Sequence, residues 1–147
     1  MIIFGRSPQA FESHPQVLKK TENIINSVFS SVLGPVDLGA GSRGLSRRAA
    51  VYLDEHGRHG GLGSDAEWPI LLHRAGFALD SLEVDGLDWE HADHFHSVAA
   101  QPDAQLKMAN MYDANASRWE FRVDVATEII KAGLNAMTRP DIVPAPC

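Results

Sequence analysis

Cysteine occurs once, at Cys147, so the chain has no internal disulfide and no thiolate metal cluster, and packing and polar contacts must hold its fold. No apolar run approaches the roughly 18 to 20 residues that cross a bilayer. Residues 1–4, Met-Ile-Ile-Phe, are too short for the core of a signal peptide. The expectation is a soluble chain, cytoplasmic or within a protein assembly. Basic residues are sparse: the net charge is −6, and no recurring basic stripe, aromatic interleaving or finger motif is present. Nucleic acid is therefore not an expected partner. No Gly-x-Ser-x-Gly elbow occurs, and the lone thiol is terminal, which argues against a serine or cysteine hydrolase.

Apolar residues make up 44% of 147 residues and charged residues 22%, the balance of a globular domain and not of a disordered acidic segment. One compact domain over residues 1–140 with an extended tail over 141–147 is expected, because Arg139-Pro140 and Pro144-Ala145-Pro146 stop regular structure. Charge is unevenly placed. Residues 1–60 carry seven Lys or Arg against five Asp or Glu, while residues 61–147 carry six against fourteen. Such asymmetry favours head-to-tail contact between copies, or it is an incidental partition of an acidic surface.

Over residues 15–33, Val17, Leu18, Ile24, Ile25, Val28, Phe29, Val32 and Leu33 recur with helical spacing, predicting an amphipathic helix closed by Gly34-Pro35. Val28, Phe29 and Leu33 are expected in the core or a subunit interface. The glycine-rich stretch 39–44 superficially suggests a phosphate loop, but no Gly-Lys-Ser/Thr follows it, so it reads as a linker or turn. A second helix is expected from Ser42 or Leu45 to Glu55 or His56. There Arg43, Arg47 and Arg48 would form a small cationic patch if exposed. Ser64 and Glu67 have the spacing of a capping box for a third helix that holds Trp68, Leu71, Leu72 and Ala75. Residues 82–89 alternate about Asp85-Gly86, predicting a hairpin. A calcium loop is excluded there, since Ser81 and Ala92 would take its first and last ligand positions.

The final third supports two readings. In the preferred one, residues 102–112 are helical, Trp119, Phe121, Val123 and Val125 alternate as a strand, and residues 126–137 form a helix. In the other, one long C-terminal helix covers the whole stretch. The fold class expected is accordingly α+β, several amphipathic helices with a small antiparallel sheet or hairpin; the runner-up is mostly α.

Glu90-His91-Ala92-Asp93-His94-Phe95-His96 concentrates three histidines and two carboxylates. Imidazole nitrogens of His91, His94 and His96 are ligands for zinc or iron, and Glu90 or Asp93 would take a proton from a metal-bound water. His56 and His59 could complete such a site. A helix aligns His91 with His94 and a strand aligns His94 with His96, so no single element gathers all three. A solvated, pH-sensitive patch is the competing and favoured reading. The functional expectation is a non-enzymatic structural or assembly subunit, a homo-oligomer or part of a larger protein assembly, acting through protein–protein contacts. The alternative is a histidine-ligated metal-dependent enzyme, a hydrolase or an enzyme of oxygen chemistry.

Overall fold

The computed structural model describes residues 1–58, 60–89 and 102–142. Its sheet is built around β1 (Ile2–Arg6), formed by the short apolar start of the chain, where β-branched Ile2 and Ile3 favour extended backbone. β2 (Ser42–Gly44) pairs with β1 antiparallel and β3 (Asp80–Val84) pairs with it parallel, giving the order β2-β1-β3. The helices are α1 (Pro8–Ser13), α2 (Gln16–Leu33), α3 (Arg47–His56), α4 (Ser64–Arg74), α5 (Pro102–Asp113) and α6 (Ala116–Thr138), with a 3-10 turn at Leu38–Ala40. The fold is α+β, with a small mixed sheet.

Side chains alternate across a strand. Ile3 faces inward and is fully buried among Ile25 and Phe29 of α2, Ile70 and Leu71 of α4, and Val125 and Ile129 of α6. Phe29 lies against α6 at Gly133, where an added Cβ would collide with its ring and with Ala66. That glycine is what lets α2, α4 and α6 approach one another.

Four local expectations change. Residues 116–125 are helical and continue into α6, so Trp119, Phe121, Val123 and Val125 form no strand. Val125, Ala126, Ile129, Ala132, Gly133 and Ala136 are buried at helical spacing, and their packing overrides the β-branched alternation. The chain does break at Asn115, whose side chain accepts from the Ser117 amide and caps α6. The hairpin is also replaced: β3 ends at Val84 and runs parallel to β1, and Gly86 supplies a positive φ of 84° for a bend. In α4 the N-cap is Gly63, not Ser64, and Glu67 is buried, accepting the Arg58 amide. Residues 42–44 form β2, and α3 begins after Ser46, whose hydroxyl accepts from Ala49.

α2 is rotated from its expected face. Ile24 is 56% and Val28 37% exposed, while Lys19 and Glu22 are buried. Lys19 reaches the Glu12 carboxylate at 2.8 Å, and Glu22 enters an ion network. The start of α2 has no cap of its own; the Asp113 carboxylate accepts from the amides of Gln16 and Val17 at 2.8 and 2.9 Å.

In urea unfolding, Phe29→Ala is expected to cost about 3–5 kcal/mol. Val28→Ala should stay within about 0.5 kcal/mol of the parent, as for other surface positions. Equal losses at both would place the buried face of α2 wrongly.

Candidate functional site

At the carboxyl end of β1, the Arg6 guanidinium donates to both Asp37 oxygens, Nε to Oδ2 and Nη2 to Oδ1, each at 2.7 Å. The Arg6 backbone amide also donates to Asp37 Oδ2. Arg6 Nη2 stands 2.6 Å from Glu22 Oε2, and Arg122 of α6 donates to Glu22 Oε1 at 2.9 Å. The geometry at Oε2 does not align as a hydrogen bond, and Arg122 Nε is buried without a partner among the described residues. Two cations and two carboxylates thus tie β1, α2, the residue-37 turn and α6 together. Gly39 is required there, because a Cβ would come within 2.8 Å of the Glu22 side chain.

Burial raises the Glu22 pKa, and Arg6 and Arg122 offset this only in part. Burial would also raise Asp37, but the hydrogen bonds and charge of Arg6 overcome it and hold Asp37 below its ordinary value. The nearby His14 is lowered by burial, and its Nδ1 lies 2.9 Å from the Ala10 carbonyl, which requires the proton on Nδ1.

Beside this network lies a groove of about 460 Å³. Asn23, Ser27 and Ser30 of α2 form one wall, Phe11 and Val36 contribute apolar surface, and Glu83 of β3 stands at the rim. It runs along Gly5 and Arg6 of β1 and Ser81 and Glu83 of β3, and its volume is in the usual range for small-molecule sites.

The residues expected to bind metal, His91, His94 and His96, and to act in catalysis, Glu90 and Asp93, lie outside the described residues, as does His59. Trp89, immediately before them, is buried edge-on against Tyr112, and its amide donates to Ser13 Oγ. His56 stacks on Tyr52 with ring centroids 4.2 Å apart. Among the described residues no group of three or more His, Cys, Asp or Glu is arranged to hold a metal. The expected cationic trio is divided: the Arg43 side chain is buried, donating to the carbonyls of Leu38 and Asp65, and Arg48 covers the Phe77 ring. Sequence reasoning missed the ion network, whose members lie far apart in the chain. The one available signal was Glu22 in register with Ile25 and Phe29 on a helix.

No protein-family model, curated protein or solved structure matches this chain. Among the described residues no helix is long and apolar enough to cross a membrane.

Removing Arg6 leaves the partly buried Asp37 carboxylate without its partner and the buried Glu22 with Arg122 alone, so Arg6→Met is expected to cost about 3–5 kcal/mol. Asp37, held low, contributes stability that is complete above the ordinary aspartate value of about 3.9 and is lost as pH falls through its lower folded value. Glu22 has the opposite sign. Its folded value is raised, so its ionised form is the costly one and the penalty is relieved as pH falls through that value. Urea midpoints measured against pH should show the deficit of Asp37→Asn shrinking in acid. A deficit independent of pH would assign Asp37 no electrostatic role.

Proposed function

We propose that this protein is a non-enzymatic assembly subunit acting through protein–protein contacts, and that a second copy of the chain covers the open face of its sheet. The observation that carries this reading is the outward side of β1 and β3. Ile2 is 42% and Leu82 53% exposed there, Phe4 and Val84 are half-buried beside them, and Leu45 follows β2. A contiguous apolar patch on a sheet differs from singly scattered surface hydrophobics, which need no explanation.

Charge supports a copy of the same chain as the occupant. The pairing of Ile2 with Gly44 brings Arg47 and Arg48, just after β2, to the start of β1. The pairing of Arg6 with Val84 brings Asp85 and Asp88 to its far end. Asp80, at the basic end, is engaged by the Ser81 amide. A two-fold axis in the interface and perpendicular to β1 lays the acidic end of each copy over the basic end of the other. Edge pairing is disfavoured by the same Asp80 contact, which occupies an amide that an added strand would need. A three-stranded face falls at the small end of stable interfaces, below about 1,200 Å² in total, so the association should be weak and concentration-dependent.

Light scattering over a concentration series should show a reversible rise in mass. Leu82→Glu should abolish the rise while leaving the unfolding midpoint nearly unchanged. A strict monomer at high concentration, with the same behaviour in Leu82→Glu, would defeat the reading.

The histidine-ligated metal enzyme is the second reading, and it rests on the three histidines and two carboxylates of residues 90–96. Under it, untagged protein keeps near-stoichiometric zinc or iron after exhaustive dialysis, and joint replacement of His91, His94 and His96 by alanine removes the metal with the fold intact. Metal-free protein whose stability is unchanged by added zinc would eliminate this reading.

A further inference from the structure

We infer that the groove between α1, α2 and β3 is a binding site for a primary ammonium carried on an aliphatic stem. The argument is one of donor and acceptor balance. The Ser27 hydroxyl donates to the Asn23 carbonyl at 2.6 Å, and the Ser30 hydroxyl donates to the Ser27 carbonyl at 2.9 Å. Each hydroxyl has one proton, so both present only lone pairs to the groove. Arg6, the one cation lining the groove among the described residues, has its charge offset by the carboxylates of Asp37 and Glu22, and its guanidinium also lies 5.0 Å from the Phe11 ring centre. The Asp37 carboxylate is consumed in the same exchange.

What remain are the Asn23 side-chain amide, which offers an acceptor oxygen as well as N–H donors, and Glu83, an exposed carboxylate that makes no ion pair or hydrogen bond among the described residues. Among the described residues, an anion entering the groove would meet hydroxyl lone pairs, the Asn23 amide and a carboxylate, with no unpaired positive charge. An ammonium supplies three donors and no acceptor, which matches Ser27, Ser30 and Glu83. Its methylene stem can lie along Phe11 and Val36, which leave apolar surface on the groove wall. A free diamine and the side chain of a lysine in a peptide share this chemistry.

Chemical-shift titration of the backbone amides of Ser27, Ser30 and Glu83 tests the site with two probes, 1,5-diaminopentane and the blocked tripeptide acetyl-Ala-Lys-Ala-amide, with pentanoate as the anionic control. Binding of either amine, with pentanoate inert, supports the site. Preference for the diamine assigns a free amine, and preference for the tripeptide assigns a lysine side chain. Glu83→Gln should weaken the preferred amine about tenfold or more, the scale of a lost charge-assisted hydrogen bond. Ser27→Ala should weaken it less. Binding of pentanoate as well as the amine, amine binding undiminished in Glu83→Gln, or shifts with neither amine would overturn the inference. Glu83 is exposed on β3, so its replacement leaves the fold available for the measurement.

Discussion

The buried pairing of Arg6 with Asp37 and Glu22 is the constraint on which the other parts of the molecule depend. A guanidinium 3% exposed is costly to bury, and its carboxylates must be brought to it by other elements. Asp37 comes from the turn after α2, Glu22 from α2 itself, and Arg122 closes the network from α6. The strand, the long helix and the C-terminal helix are thereby held in a single relative position. Hydrophobic packing alone specifies that position less sharply, because apolar contacts are not directional.

The same network has consequences for the surface. Turning Glu22 inward rotates α2, so that Ile24 and Val28 move outward and Asn23, Ser27 and Ser30 line a groove. Because the charge of Arg6 is offset by Asp37 and Glu22, the groove has no unpaired cation on its wall among the described residues. Its acceptor-rich character therefore follows from the way the fold is fastened. The outer side of the sheet is shaped by a different economy: three short strands receive helices on the inner side, and Ile2 and Leu82 remain in contact with solvent.

Helix ends show how far local and distant causes are separated. Ser46 and Asn115 cap α3 and α6 from adjacent positions, as sequence chemistry requires. α2 begins at Pro15 with no local cap, and Asp113, nearly a hundred residues away, satisfies its first amides. Asp113 also marks the break between α5 and α6, so one aspartate ends one helix and caps another.

The sequence by itself determined the α+β class, the extent of α2, the approximate places of α3 and α4, the break near Asn115 and the stop at Gly34, where φ is 76°. Each follows from forces acting within a few residues: helical periodicity, capping hydroxyls and the freedom of glycine at positive φ. Only the tertiary structure decided that residues 2–6 are the central strand, that residues 80–84 run parallel to it and that residues 116–125 are helical. Those outcomes turn on partners remote in the chain. Short apolar runs carry no label for their neighbour, and β-branched alternation yields when burial at three- and four-residue spacing is larger. The groove was hidden for the same reason. One wall is four polar residues of a single helix, Asn23, Asn26, Ser27 and Ser30, and its chemistry appears only when Arg6, Asp37 and Glu83 are brought beside them by contacts that local sequence cannot express.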